Sequence, residues 1–353
     1  MVHRLRIATW NICWFANLFD DDDNPVIDDQ RSALYGVTRR EQAAAVDRVL
    51  RRIDADLWAI IEAPNTGRTQ STTRALEGFA NAVGLRQFRA VTGFPSETEQ
   101  EIALLYDPDR ISAQHDPLGS VLTEADDPKE PRFQLAPRFD GVYPLDLDGD
   151  GQVDLHRFSK PPLEADVHAR SSGRHLRVIA VHAKSKAPHG ADDAEDVARI
   201  SLMNRRKQLA QCAWIRARVD EHLGRGDDVI VLGDFNDGPG LDKYERVFGR
   251  SGVEIVIGHL GTPEMRLHTP FVWDRRHPSG DRPATARFYN RARGGYLNAL
   301  IDFIMLSPGL MDAKPEWRIW HPFDDAECFK DAGMQAALLA ASDHFPVSVE
   351  LSL

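Results

Sequence analysis

Residues able to hold a cation or move a proton recur in this sequence directly after short apolar runs. Ile7-Ala8-Thr9-Trp10 leads to Asn11, Trp58-Ala59-Ile60-Ile61 to Glu62, Val178-Ile179-Ala180-Val181 to His182, and Val229-Ile230-Val231-Leu232 to Gly233-Asp234-Phe235-Asn236. Runs of this kind end strands, and a strand holds its last side chain at the rim of a sheet on a rigid scaffold. Carboxylates and amides collected at one rim form an oxygen-rich site suited to Mg²⁺ or Mn²⁺. Taken singly, each residue has an ordinary explanation: an Asn after a strand forms turns, a Glu there is solvated, and a lone His packs or sits on the surface. Gly-Asp-Phe-Asn carries more information, because Asp234 and Asn236 occupy alternate positions and point the same way. Ser342-Asp343-His344-Phe345-Pro346 carries more again, since an adjacent Asp–His pair before a terminal strand has little structural purpose.

These residues need elements to position them. Residues 5–10 alternate at period two, as a half-buried strand does, and Val46, Val49, Leu50 and Ile53 recur at helical spacing. Residues 57–61 and 102–106 are continuous apolar runs, the second closed by Asp107-Pro108-Asp109. Leu209, Cys212, Ile215, Val219 and Leu223 mark a long helix with one apolar face, residues 300–306 read as a strand, and Val347, Val349 and Leu351 alternate at the chain end. Many short strands with few helices predict an α+β layered architecture. Neither an internal repeat nor a low-complexity linker divides the chain. The expectation is one domain over residues 1–353 with insertions near 17–37, 112–160 and 258–296.

In this order, Trp10-Asn11, Ile61-Glu62, Val181-His182, Gly233-Asp234-Phe235-Asn236, Ile301-Asp302-Phe303 and Ser342-Asp343-His344 resemble the motifs of the endonuclease/exonuclease/phosphatase superfamily, the DNase I-like fold. The resemblance spans residues 5 to 351, and no single motif is long. Glu62-Ala63-Pro64-Asn65, residues 102–109 and His182-Ala183-Lys184-Ser185-Lys186 look like segments of its bacterial nuclease-like members. One departure is Ile61, where Gln commonly precedes the Glu.

The resemblance implies a four-layer α/β sandwich of two packed mixed β-sheets flanked by helices, with the site at one end. It implies a divalent-metal-dependent phosphodiesterase using Mg²⁺ or Mn²⁺. Glu62 and Asp343 are the expected metal ligands with Asn11 close by, and Asp234 activates water or holds a second metal. Asn236 is expected to donate to the phosphate, His182 and His344 to form the acid/base and charge-stabilising pair, and Asp302 to orient His344. Which histidine is acid and which base stays open. The Glu that pairs with the catalytic His in the DNase branch is expected at Glu99 or Glu101.

The remaining signals concern substrate and surroundings. Asp146, Asp148, Asp150 and Asp154 alternate among glycines as in a calcium loop, but Arg157 stands where an EF-hand has Glu; a structural Ca²⁺ and a plain acidic turn are both open. The segment from Asp274 to Gly295 is rich in arginine, including Arg287, Arg291 and Arg293. With Lys184 and Lys186 it could follow successive phosphates, so a nucleic-acid backbone is the expected substrate. The alternatives are a small phosphorylated or lipid substrate, such as an inositol phosphate or sphingomyelin, and a non-catalytic binding module on the same scaffold. A net charge of −11 argues little against a polyanion, because acidic metal ligands concentrate negative charge that a cation neutralises. Three cysteines without short spacing argue against a disulfide framework or a zinc site. No apolar run reaches the roughly 20 residues of a membrane helix, and residues 1–15 carry no apolar signal region. The expectation is a cytoplasmic protein with neither stable membrane association nor an obligate protein partner.

Overall fold

Strand β1 (Arg4–Asn11) is apolar on both faces because it lies inside a sheet covered on both sides. Leu5 and Ile7 enter one core, Ala8 and Trp10 another. Its neighbours are β2 (Leu57–Ala63), parallel to it, and β15 (Val347–Ser352), antiparallel. With β3 (Arg89–Thr92), β4 (Glu101–Tyr106) and β14 (Glu316–Ile319), they form a six-stranded sheet ordered β14-β15-β1-β2-β4-β3. The second sheet runs β13-β10-β9-β8-β5, built from β5 (Ile111–His115), β8 (Leu163–Ala169), β9 (Arg174–His182), β10 (Val229–Asp234) and β13 (Asp302–Leu306). Only β9 and β10 are parallel within it. This computed structural model describes residues 4–353 except 35, 86–87, 128, 131–134, 148, 189, 241–247, 273–282 and 291–293.

Each parallel pair is joined through a helix, as parallel strands require. Helix α1 (Arg39–Ile53) lies between β1 and β2 in the chain and starts at a reciprocal cap between Thr38 and Glu41. Helix α3 (Ala194–Arg225) lies between β9 and β10 and starts at Asp193, whose carboxylate accepts from the amides of Glu195 and Asp196. Helix α1, helix α2 (Thr72–Ala82) and the helix Ala332–Ala341 bury their apolar faces with Trp10, Trp58 and Ile60 on the outside of the first sheet. The α3 residues Cys212, Trp214, Ile215 and Val219 cover the outside of the second. Between the sheets Ile7, Ala59, Leu104, Val178, Leu232, Ile304 and Val349 form a third core. The result is the expected sandwich of two mixed sheets between helical layers.

The poorly patterned regions contribute two small two-stranded sheets among the described residues. Strands β6 (Tyr143–Leu145) and β7 (Asp154–His156) form one hairpin, and β11 (Ala286–Asn290) and β12 (Gly295–Ala299) another. Among the described residues no helix is long and apolar enough to cross a membrane.

Candidate active site

Strand parity decides which polar residues meet. On β9, Leu176, Val178 and Ala180 face the inter-sheet core, so His182 continues that row. On β10, Ile230 and Leu232 share the face of Asp234; on β13, Ile304 and Leu306 share the face of Asp302; on β1, Leu5 and Ile7 share the face of Asn11. The pairing register aligns His182, Asp234 and Asp302 in one row across three strands. These four residues therefore close one end of the inter-sheet core. All four are buried.

Asn11 Nδ2 crosses between the sheets to donate to Asp234 Oδ2 at 3.0 Å. The other Asp234 oxygen, Oδ1, accepts from the backbone N–H of Asn236 at 2.7 Å. Asn236 Nδ2 donates to the carbonyl of Ala183 at 3.1 Å and to Asp234 Oδ2 at 3.3 Å, so this amide holds Asp234 and the turn after β9 rather than pointing freely at a substrate. Burial and the facing Asp302 carboxylate push the Asp234 pKa up to about 7, while His344 opposes the rise. Gly233 permits this approach: its φ is 131°, and a Cβ there would lie 2.1 Å from the carbonyl oxygen of Val181.

His344 Nδ1 lies 2.9 Å from Asp302 Oδ2. Burial works against its charged form, but Asp302, aided by Asp234 and Asp343, raises its pKa to about 10. The Ser-Asp-His segment is pinned to the end of β1. Ser342 Oγ donates to the carbonyl of Asn11 at 2.8 Å and accepts from the N–H of Cys13 at 3.0 Å, and Trp10 Nε1 donates to the carbonyl of His344 at 2.9 Å. Thr285 Oγ1 accepts from the N–H groups of Ile301 and Asp302, fixing the start of β13.

Glu62 sits at a bulge in β2, between Ile61 and Ala63, with φ 62°. The irregularity places Ala63 on the helix-covered face and leaves Glu62 Oε1 4.0 Å from His182 Nε2. His182 Nε2 is also 3.7 Å from Asp234 Oδ2. Burial, with Lys160 and His344 adding to it, holds the His182 pKa well below the ordinary value. The Cys13 thiol is pushed up by burial and by the nearby Asp343 and Glu62 carboxylates, away from the thiolate form.

The donor set fits a hard divalent cation. Asn11 Oδ1, Asp302 Oδ1 and Asp343 Oδ1 are buried oxygens with no hydrogen-bond partner, an arrangement costly without a compensating charge. Among the described residues the ligand atoms of Asp234, Asp302 and His344 lie within 4.8 Å of one another, close enough to share a cation. The expected trio of Asn11, Glu62 and Asp343 borders that cluster.

Other expectations fare differently. Among the described residues neither Glu99 nor Glu101 hydrogen-bonds or ion-pairs with a histidine. Glu99 is exposed, and Glu101 turns away to accept from the amides of Ser96 and Thr66. Gln100, between them, takes the inward place: its Nε2 donates to Glu62 Oε2 at 2.8 Å, and its Oε1 accepts from Lys160 Nζ at 2.5 Å. Lys186 is not free for substrate, because its Nζ pairs with buried Asp237 at 2.7 Å. Lys184 is half-buried beside the site. Arg287 lies on β11, with its N–H donating to the carbonyl of Asp343 at 2.8 Å and its guanidinium 3.5 Å from the centre of the Tyr296 ring. Arg291, Arg293 and Asp148 lie outside the described residues. In the acidic turn, Asp146 accepts from the amides of Gly149 and Gly151, and Asp150 from that of Gln152, so the turn is held by its own backbone. Asp154 begins β7 and is exposed.

Sequence reasoning missed Gln100, Lys160 and the polar face of α3. Gln208 Nε2 donates to the carbonyls of Lys184, Phe235 and Asn236, and Gln211 Oε1 accepts from the N–H of Lys184. These two glutamines clamp the turns after β9 and β10. Asn204, Gln208 and Gln211 fall at i, i+4 and i+7, one helical face, and that spacing was the available signal. For Lys160 it was a basic residue set before Pro161-Pro162 at the entry to β8.

The sequence profile of the endonuclease/exonuclease/phosphatase family matches residues 8–344. The chain belongs to that family. Its members are hydrolases of phosphoester bonds. Among solved structures it is similar to the catalytic domain of human Nocturnin with bound sulfate (13% identity, covering 99% of this chain and 94% of that one, TM-score 0.49). It is also similar to an AP endonuclease from Archaeoglobus fulgidus (14% identity, 99% and 100% coverage, TM-score 0.48). A third similar structure is a mannosyl-6-phosphatase of Bacteroides thetaiotaomicron (12% identity, 99% and 100% coverage, TM-score 0.49). No curated protein sequence matches the chain.

Proposed function

We propose that this member of the family is a divalent-metal-dependent phosphodiesterase acting on a nucleic-acid backbone. The observation that carries the reaction class is the row of His182, Asp234 and Asp302 facing Asn11 and His344, with bare buried oxygens on Asn11, Asp302 and Asp343. A phosphodiester is an anion that repels nucleophiles, so its hydrolysis needs charge neutralisation, an activated water and help for the leaving oxygen. When bound, Mg²⁺ or Mn²⁺ supplies charge neutralisation and acidifies water; Glu62, Asp343 and Asn11 Oδ1 would hold it. Asp234, fixed by Asn11 and Asn236, is placed to orient or deprotonate water. His344, held in its charged form by Asp302, is placed to donate a proton or a strong hydrogen bond to the phosphate.

The substrate class rests on the hairpin beside Asp343. Tyr289 and Tyr296 are exposed and pack edge to face at 5.3 Å, with the Arg287 cation stacked on Tyr296. Aromatic faces next to a cation suit bases and phosphates of a single strand. The same hairpin also exposes Leu297, on its other face, which favours a second reading, a phosphodiester in a lipid headgroup. The test is turnover of bis-p-nitrophenyl phosphate against p-nitrophenyl phosphate with Mg²⁺, followed by single-stranded DNA, RNA and sphingomyelin vesicles. The nucleic-acid reading expects cleavage of a strand, affinity that weakens steeply with salt, and a larger loss on the strand than on the small diester when Arg287, Tyr289 and Tyr296 become Ala. Cleavage confined to vesicles would transfer the assignment to lipid. Activity on neither diester would leave a binding module.

A further inference from the structure

The two buried histidines of the site have opposite partners at Nδ1. His344 Nδ1 faces a carboxylate, Asp302, at 2.9 Å. His182 Nδ1 faces an ammonium group, Lys160 Nζ, at 3.2 Å. A carboxylate can only accept at this position and an ammonium can only donate, so the two rings cannot carry their protons alike.

The chain of contacts behind His182 has one consistent direction. Glu62 Oε2 accepts from Gln100 Nε2 at 2.8 Å, and Gln100 Oε1 accepts from Lys160 Nζ at 2.5 Å. Reversing the amide would set its carbonyl against the Glu62 carboxylate and its NH₂ against an ammonium, so Gln100 has one acceptable orientation. Lys160, anchored by Gln100, then presents a hydrogen to His182 Nδ1. The opposite ring nitrogen, Nε2, looks at two acceptors, Asp234 Oδ2 at 3.7 Å and Glu62 Oε1 at 4.0 Å. Both sides of the ring therefore ask for the same tautomer.

We propose that Lys160 is a positioning residue that leaves His182 Nδ1 bare and puts its proton on Nε2, so that His182 is a hydrogen-bond donor aimed at the phosphate site. Gln100 holds Lys160 in that place. A carboxylate at this position would reverse the ring and free Nε2 to accept a proton; Lys160 takes His182 out of the role of general base. The two histidines become unlike in function: His344, backed by Asp302, manages charge and proton, while His182 offers one directed N–H bond. Orienting partners behind active-site histidines fix which nitrogen is available, and their loss costs about 10- to 100-fold.

The catalytic consequence rests on the phosphodiesterase reading, but the tautomer is measured without turnover. The protein is labelled with ¹⁵N-histidine, His182 is assigned by its absence in His182→Ala, and long-range ¹H–¹⁵N spectra are recorded with and without Mg²⁺. In the wild type, His182 should show one unprotonated and one protonated nitrogen, with the protonated signal correlated to Hδ2 as Nε2. Lys160→Met should mix the two tautomers, because the acceptors facing Nε2 lie at 3.7 and 4.0 Å, beyond hydrogen-bond reach, and Lys160→Arg, which keeps a donor, should retain the single one. On bis-p-nitrophenyl phosphate, Lys160→Met should lower kcat about 10- to 100-fold with a smaller change in KM, and Lys160→Arg should recover most of the loss. A wild-type ring protonated at Nδ1, or a Lys160→Met spectrum identical to wild type, overturns the proposal. Should Lys160→Met fail to fold, the wild-type spectrum alone decides, with Gln100→Ala expected to blur the single tautomer. The expected spectra in a protein without diesterase activity would support the Lys160 assignment while removing the proposed function.

Discussion

Replacing Asp302 with Asn tests whether Asp302 acts through His344. The two are 2.9 Å apart, and only 1% and 6% of their surfaces are exposed, so solvent screens the pair little. The amide oxygen can still accept from Nδ1, but the negative charge that raises the His344 pKa is gone. A charge-assisted hydrogen bond is worth about 1.5–3 kcal/mol. At about 1.4 kcal/mol per tenfold, Asp302→Asn should lower kcat by roughly one to two powers of ten. His344→Ala should cost about a hundredfold or more, the scale of lost acid–base help. The double variant should be no worse than His344→Ala alone, because Asp302 has nothing left to orient. The interaction energy in the cycle then equals the effect of Asp302→Asn, about 1.5–3 kcal/mol. The assay is single-turnover hydrolysis of bis-p-nitrophenyl phosphate with saturating Mg²⁺, which separates chemistry from product release. Multiplying losses in the double variant, with all three proteins folded, would refute the argument and show that Asp302 acts independently of His344.

Four further outcomes follow from named contacts. EDTA should abolish turnover and Mg²⁺ or Mn²⁺ restore it, and in Glu62→Gln the restoring concentration should rise sharply; metal titration of activity reads both. Gly233→Ala should destabilise the fold by more than about 4 kcal/mol, visible as lost soluble yield or a large drop in Tm, because its Cβ would collide with the Val181 carbonyl oxygen at 2.1 Å in a backbone of φ 131°. Glu164→Gln should cost about 1–3 kcal/mol in urea unfolding, since it strips the carboxylate 2.8 Å from His222 Nε2 and 3.4 Å from Nε of fully buried Arg218, while Glu221 still pairs with Arg218 and Asp227 with His222. Stability should fall as pH drops through about 6.5, in part through His321, whose Nδ1 accepts from the N–H groups of Phe323 and Asp324. Burial, aided by Arg287 against the opposing Asp324, lowers the folded pKa of His321, so the unfolded chain binds the proton first and the loss levels off below the folded value. His321→Asn should flatten that slope in unfolding curves at several pH values.

The sandwich was legible because its strands are short and apolar on both faces, and because three strands end, and the antiparallel β13 begins, in a polar residue of the same parity as the inter-sheet core. Alternation along 5–11, 176–182, 230–234 and 302–306 is enough to bring Asn11, His182, Asp234 and Asp302 to one end. What the sequence hid depends on local breaks in that alternation. The left-handed residue Glu99, φ 57°, precedes Gln100, and it is Gln100 rather than its acidic neighbours at 99 and 101 that hydrogen-bonds Glu62 and Lys160. Lys160 and Lys186 look alike as basic residues near motifs. Lys160 reaches His182, while Lys186 is neutralised by Asp237, a partner 51 residues away. The acidic turn at 146–154 matched a calcium pattern by residue type, yet short-range Asp–amide bonds use the same spacing.

The backbone supports the same division between scaffold and site. Glu62, Gly233 and Asn236 all have positive φ, and all lie where a strand stops being regular at the site end. Such conformations cost about 1–3 kcal/mol each for non-glycine residues, and they persist because their surroundings over-determine them. Asn236 is held by Asp234, Ala183 and the Gln208 amide of α3; Glu62 is held by the bulge in β2 and by Gln100. The end of β1 is fixed from the far end of the chain, through Ser342 on Asn11 and Trp10 on the His344 carbonyl. Each sheet thus brings one helix-linked parallel pair to the site, and the Asn11–Asp234 hydrogen bond joins the two. A side chain on either pair is positioned by elements of both sheets, so a small shift between the sheets would misalign Asp234 with His344 before it disturbed either core.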